Sequence, residues 1–429
     1  MNVIQNLEAL TVSDLRKDAL AIAEAGYAAI DIDAVIQRKI HVENAQLHIG
    51  EKIYPLTDRR VFFIGIGKCA LQAGRAIETL LGDALTAGIV LDISTTGQNK
   101  SSKIEVLVGT HPLPSETNAE ASKRILEFLS GRSEGDLVIM LISGGGSALL
   151  SLPVAPMTFS DERMLFETLT SRGAPIQELN IVRKHISHAR GGALAVAAYP
   201  AEVVSLVVSD VPGDDIGTIA SGPTALDSST VADAEAILKR YVVPASTEVA
   251  FLETSKDEKY FKRVTNTLFL SNQDALSKME EEAVRRGYTT TIVDTHFSGE
   301  ARDVGHAINE KLRDAPPKTA LLYGGESTVT LGASMGKGGR NQEMALAALK
   351  GIQSGELILP FASDGRDNTE HAGAIADEIT RMHIGEKDLL VEEYLDKHSS
   401  YDFFEMTGDA LVTGPLESNV SDLVIALKA

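Results

Sequence analysis

The sequence predicts an α/β protein of two domains, each built on a mainly parallel sheet covered by helices. Three observations carry this expectation. Aliphatic runs of strand length alternate with amphipathic helical stretches almost throughout, the pattern of repeated βαβ units. With 429 residues the chain exceeds the size at which one core usually divides. Aromatic residues make up only 5% and Trp is absent, while aliphatic residues and glycine are plentiful, a mixture suited to strands buried on both faces.

Taken in order, residues 1–45 read as helical without an obvious strand. Strands are predicted at Val61–Ile64, Gly88–Ile93, Ile104–Val108, Leu137–Ile142 and Glu202–Val208, then at Thr267–Leu270, Thr289–Val293, Ala320–Tyr323, Leu357–Phe361 and Ala410–Thr413. Helices are predicted between them, at Ala70–Leu81, Ala119–Leu129, Val231–Arg240, Ala275–Arg286, Arg302–Leu312 and Gln342–Lys350. The polar stretch from Val243 to Arg263 places the domain boundary, giving domains 1–245 and 246–429.

The formal charge of −20, from 40 Lys plus Arg against 60 Asp plus Glu, opposes binding to nucleic acid or an anionic membrane surface. An acidic protein that binds an anion must therefore gather its cations locally. The single cysteine, Cys69, excludes a disulfide framework within the chain and any cysteine-rich metal site. The first 29 residues lack the pattern of a secretory signal, and Leu137–Ile142 is too short to span a bilayer. A cytoplasmic enzyme is expected.

Ligands of open α/β sheets bind at the carboxyl ends of strands, and here those ends open repeatedly into small or functional residues. Gly65-Ile66-Gly67-Lys68 follows the first strand and Gly109-Thr110-His111-Pro112 the third. Ser143-Gly144-Gly145-Gly146-Ser147 follows Leu137–Ile142 and suits either backbone binding of a nucleotide phosphate or a tight strand–helix turn. The stretch from Gly65 to Ala70 also fits the alanine form of the dinucleotide fingerprint, with Asp92 where a ribose partner would stand. Lys68 in that loop points instead to phosphoryl chemistry, or to a solvated loop lysine. Gly336-Lys337-Gly338-Gly339-Arg340 interleaves two cations with three glycines before a helix, an anion clamp in which Arg340 offers a planar fork. Arg183 and Lys184, with Arg190 nearby, are cations for a substrate or for solvent. Asp210, Asp214 and Asp215 supply carboxylates for Mg²⁺ or for taking a hydroxyl proton, and Asp364 and Asp367, with Glu326, raise the same choice.

These motifs resemble the glycerate 2-kinases whose C-terminal part is the MOFRL domain. The matching stretches are GIGKCA at Gly65, GTHPLPSETN at Gly109, SGGGSALL at Ser143, NIVRKHIS at Asn180 and SDVPGDD with IASGPT from Ser209. GGESTVT at Gly324, GKGGRNQE at Gly336 and TGP with NV from Thr413 complete the set in order along nearly the whole chain. The resemblance implies two Rossmann-like three-layer α/β/α domains with a cleft between them, and ATP-dependent phosphorylation of D-glycerate at its 2-hydroxyl with Mg²⁺. It implies catalytic positions at Lys68, Asp210 and Arg340, a nucleotide cradle at Ser143, Gly144, Gly145, Gly146 and Ser147, and substrate contacts from Arg183, Lys184, Lys337 and Asn341. Asp210, Glu326 and Asp364 are the expected metal ligands; a homodimer is left open. Two stretches depart from the family pattern: Arg366 with Asn368, Thr369 and Glu370, and Leu416-Glu417-Ser418 after the Thr-Gly-Pro segment. Arg366 adds a charge that would recruit a more anionic substrate. The competing expectations are an NAD(P)-dependent hydroxypyruvate reductase, a kinase of a related hydroxy acid and a non-catalytic sugar-phosphate-binding protein.

Overall fold

The computed structural model describes residues 2–94, 103–211, 213–243, 249–332 and 336–429. The chain forms two compact units. One comprises Val35–Ser209 with Asp214–Phe269, and the other Met1–Ala34, Asp210–Gly213 and Leu270–Ala429. Among the described residues no helix is long and apolar enough to cross a membrane.

The first unit opens with three short antiparallel strands, β1 (Ile40–Glu43), β2 (Gln46–Ile49) and β3 (Lys52–Pro55), where the sequence reading placed no strand. Its main sheet follows: β4 (Val61–Ile66), β5 (Leu85–Asp92), β6 (Ile104–Val108), β7 (Leu137–Ile142), β8 (Glu202–Val208) and β9 (Val264–Leu270). The spatial order is β6-β5-β4-β7-β8-β9, and β4 through β8 pair in parallel. In chain order this is 3-2-1-4-5-6, the doubly wound order of dinucleotide-binding sheets. Every residue of β4 and β7 is buried, as expected of strands covered on both faces. The helix Ala70–Leu81 starts and ends as its pattern predicts, while the predicted Ala119–Leu129 begins earlier, at Glu116. There Ser115 and Asn118 cap each other's backbone.

The boundary expected near residue 245 lies instead between Phe269 and Leu270. Residues 249–263 are no linker, because their far end feeds β9 into the first sheet, Val203 N donating to Arg263 O at 2.9 Å. Leu252 N also donates to His185 O at 2.7 Å, and Phe251 packs on the apolar cluster around Leu165 and Val182. Polarity along residues 249–263 reflects their position on a surface rather than a break between cores.

The second unit departs from the expected mainly parallel sheet. Its strands are β10 (Thr289–Phe297), β11 (Thr319–Gly325), β12 (Glu356–Ala362), β13 (Gly373–Ala374), β14 (Ala376–Asp377), β15 (Ala410–Leu411) and β16 (Asp422–Lys428). They lie in the order β10-β11-β16-β12-β13-β15, with β14 also on β12. Only β10 and β11 pair in parallel. The cause is β16, which threads antiparallel between β11 and β12 and pairs with both along its full length. Asp422–Lys428 is an aliphatic run buried at all but its last residue.

The N-terminal helix Asp14–Ile30, capped by Ser13, belongs to this second unit. It lies so close to the helix Asn272–Arg285 that a Cβ on Gly26 would stand 2.9 Å from Met279 Sδ.

Candidate active site

In the first unit the winding reverses at β4 and β7: the chain leaves β4 for β5 and β6 on one side, and β7 for β8 and β9 on the other. The crevice outside the carboxyl ends of two such strands is where ligands of open α/β sheets bind. The loops after β4 and β7 interlock there. Ser143 donates to Ile66 O through both its backbone N and its hydroxyl, at 2.8 and 3.2 Å, and Lys68 N donates to Gly144 O at 3.1 Å. Gly67 has φ +119°, and a Cβ on it would stand 2.1 Å from Ser143 Oγ, so this position accepts only glycine. A Cβ on Gly145 (φ +84°) would stand 3.2 Å from His111 Cδ2 and 3.4 Å from Lys68 Cγ. Thus the strand ends of β4, β6 and β7 bring a lysine stem and an imidazole to one glycine turn.

The turn is held from behind by a buried polar chain. Arg190 donates to Ser147 O at 2.6 Å and pairs with Glu162 at 2.7 Å, and the Ser151 hydroxyl donates to Glu162 at 2.5 Å. Ser147 and Ser221 hydroxyls meet at 3.1 Å, and Ser221 donates to Asn180 at 2.8 Å. Removing one member of a buried ion pair such as Arg190–Glu162 costs about 3–5 kcal/mol, so the turn rests on a stiff support. A rigid glycine turn beside a lysine stem is an arrangement suited to anionic oxygens.

In the second unit the charge centre is Arg340, first residue of the helix Arg340–Ala348. It donates to both oxygens of Asp422, at 2.5 Å from Nε and 3.1 Å from Nη2, and through Nη1 to Glu326 at 2.6 Å. Among the described residues these bonds use three of the five N–H groups of the guanidinium. Asp422 reaches this place because β16 is antiparallel: its first residue pairs with Gly325 and Ala362, the last residues of β11 and β12. Burial pushes the Asp422 carboxyl up, against the pull of Arg340. Burial likewise raises Glu326, where the charges of Asp422 and Asp210 add to the effect and Arg340 opposes it. Burial disfavours charge on Arg340, yet Asp422 and Glu326 hold its pKa above the ordinary value. Glu326, Arg340, Asn368 and His398 help to line a cavity of about 370 Å³, with Gly336 and Gly338 on its wall, a volume that suits a small molecule.

Asp210 belongs to the second unit, where Ser421 Oγ donates to its carbonyl at 2.8 Å. Asp364 accepts from Arg366 N at 3.1 Å. Asp210, Glu326 and Asp364 do not form a set of donor atoms within 4.8 Å of one another; among the described residues the set that does is His41, Glu43 and His48. The expected substrate positions have partners of their own in the structure. Asn341 is fully buried and its amide donates to Asp367 at 3.2 Å, so it fixes the loop from within. Lys184 pairs with Asp227 at 3.2 Å, and Lys337 pairs with Glu370 at 2.7 Å while lying 3.4 Å over the Tyr401 ring. Arg183 stacks 4.6 Å over Phe166, and burial with the nearby Arg190 charge lowers its pKa to about 10. Asp92 is occupied as well, accepting from Leu71 N at 2.9 Å and from Ile93 N at 2.6 Å. Its carboxylate caps the helix after β4 rather than waiting for a ribose. Sequence reasoning missed Asp422, whose signal was the apolar run it begins, and the weight of Glu162, which sits in an ordinary amphipathic helix.

The fold and these loops define an α/β protein with a rigid glycine turn at the switch point of a doubly wound sheet. Residues 18–253 match the family described as a domain of unknown function, DUF4147, and residues 319–422 match the MOFRL family. A glycerate 2-kinase of Pyrococcus horikoshii is 36% identical over 96% of this chain and 97% of its own. A protein of Agrobacterium vitis named putative hydroxypyruvate reductase is 37% identical over 85% of this chain and 86% of its own. The crystal structure of a glycerate kinase from Thermotoga maritima superposes with a TM-score of 0.83 at 31% identity, covering 96% of this chain and 99% of that one. The chain belongs to the DUF4147–MOFRL family of glycerate 2-kinases.

Proposed function

We propose that this chain transfers a phosphoryl group from ATP to the 2-hydroxyl of D-glycerate, with Mg²⁺. The observation that carries the reading is the Lys68 stem packed beside Gly145 at the switch point of the first sheet. A phosphoryl transfer needs positioned cations and backbone donors around oxygens that carry charge, and little covalent chemistry from the protein. The backbone of Ser143–Ser147 would cradle nucleotide phosphate, and Lys68 would neutralise charge on the transferring group. Asp210 would take the proton of the attacking hydroxyl. The N–H groups of Arg340 not given to Asp422 and Glu326 would hold the glycerate carboxylate, for which the cavity beside Arg340 has room.

The carboxylates around Arg340 fit a hard cation. Glu326 is raised in part by the charges of Asp210 and Asp422, and a divalent ion would relieve that crowding. Mg²⁺ commonly takes one or two carboxylates and completes its shell with water and substrate phosphates, so Asp210 with Glu326 or Asp364 is sufficient. When bound there it would supply positive charge to neutralise the phosphate oxygens. A cytoplasmic site of action goes with a soluble metabolite and ATP as substrates. The reductase reading loses its main support, because the oxygens of Asp92 are given to backbone N–H groups.

Purified protein incubated with D-glycerate, ATP and Mg²⁺ should release ADP, and NMR of the product should show phosphate on the 2-hydroxyl. Lys68→Ala should lower turnover about 10²–10³-fold, the scale for losing one preorganised charge stabiliser. No ADP, together with NADH consumption by hydroxypyruvate, would replace this reading with the reductase.

A further inference from the structure

The hairpin β1–β2 carries two imidazoles and a carboxylate that the kinase reading does not use. Its turn is two residues long, Asn44 and Ala45, with φ of 51° and 56°, so Glu43 pairs with Gln46 and His41 pairs with His48. Side chains alternate along a strand, which puts His41 and Glu43 on one face, and direct pairing puts His48 on the same face. Ile40 at the start of β1 is buried, whereas His41, Val42 and Glu43 are exposed and His48 is half-buried. The imidazole rings stack at 4.5 Å with 10° between their planes. One donor atom from each of His41, Glu43 and His48 lies within 4.8 Å of the others.

The geometry points to a divalent transition-metal site on this hairpin, of the class that Zn²⁺ fills. Two imidazole nitrogens and one carboxylate oxygen suit a borderline-soft ion, while Mg²⁺ and Ca²⁺ favour all-oxygen shells. Ligands about 2 Å from a shared tetrahedral ion stand about 3.3 Å apart, so the side chains must close in and the stacked rings must turn about χ2 until both in-plane nitrogen lone pairs aim at it. Three protein ligands leave one position for water. The ion would clip β1 to β2 across a turn that holds Ala45 in the left-handed region.

The test uses the full chain, stripped with chelator and titrated with ZnCl₂ by calorimetry. Wild type should bind one Zn²⁺ that His41→Gln and His48→Gln each weaken at least 10-fold and that the double variant loses. Zn²⁺ should also raise the melting temperature of wild type and leave that of the double variant unmoved, with far-UV dichroism confirming that the variant is folded. Kinase turnover with Mg²⁺ and ATP should match between wild type and the double variant, separating this site from the catalytic one. Absence of Zn²⁺ binding by wild type, or equal binding by the folded double variant, overturns the proposal.

Discussion

Asp367 shows how one side chain can hold a whole loop in place. It is buried, and its two oxygens accept from Asn341 N at 3.0 Å and Gln342 N at 2.8 Å, capping the helix that begins with Arg340. The side chains of Asn341 and Gln342 donate to it as well, and a Cβ on Gly339 would overlap its backbone carbonyl. Arg340 is therefore aimed by a cap directly behind it. Burial, helped by the Asp422 charge and opposed by the backbone N–H groups, pushes the Asp367 carboxyl up to about 6. Its folded pKa thus lies above the unfolded value, so the group takes up a proton on folding between about pH 4 and 6. The stability it contributes is complete below about pH 4 and is lost as pH rises through 6. Asp367→Asn lacks that component, so the stability of wild type minus that of the variant should shrink from pH 4.5 to pH 7. Denaturant unfolding at the two pH values checks this; a difference that grows with pH would refute the raised carboxyl.

At the scale of elements, the turn of the first hairpin is set in a conformation that its sequence does not favour. Two-residue hairpin turns with both central residues at positive φ prefer Asn followed by Gly, because the second position strains any Cβ. Asn44 meets the preference and Ala45, at φ 56°, does not. Ala45→Gly should raise stability by about 0.5–1 kcal/mol, strain relief exceeding the added freedom of the unfolded chain. A lower unfolding midpoint for this variant would show that the turn has another conformation. The same turn explains why β1 and β2 escaped the sequence reading. Ile40, His41, Val42 and Glu43 alternate too briefly, follow a helical pattern without a break, and lack the Asn-Gly signal. The buried parallel strands were legible because Val61–Ile66 and Leu137–Ile142 need apolar residues on both faces and end in glycine. Asp422–Lys428 has the same aliphatic pattern, but its antiparallel insertion depends on pairing with β11 and β12, which local pattern does not encode. The glycine turn and its lysine were readable for the same reason as β4 and β7. The Asp422–Arg340 pair depends on β16 and was not.

At the scale of the molecule, the first 34 residues belong to the second unit although more than half of the chain separates them from most of it. The links are specific. Gln5 N donates to Val412 O at 2.8 Å, and Val412 N donates to the Asn6 side chain at 3.1 Å. Arg16 is 1% exposed and pairs with Asp377 at 2.7 Å and Asp409 at 2.8 Å. Tyr27 donates to Ala362 O at 3.1 Å, at the end of β12. A fragment of residues 270–429 would keep Asp377 and Asp409 without their cation and would expose the face of Asn272–Arg285 that Gly26 approaches. Loss of one partner from a buried pair costs about 3–5 kcal/mol, and uncovered apolar surface adds about 25 cal/mol per Å². Since whole domains are stable by only about 5–15 kcal/mol, that fragment should not fold cooperatively. Fusing residues 1–34 to its C-terminus through a flexible linker should restore a single sharp unfolding transition, and Arg16→Met within the fusion should weaken it by about 3–5 kcal/mol. Urea unfolding followed by far-UV dichroism distinguishes the three. If residues 270–429 alone unfold at the same midpoint as the fusion, the N-terminal helix is an ornament of the second unit rather than part of its core.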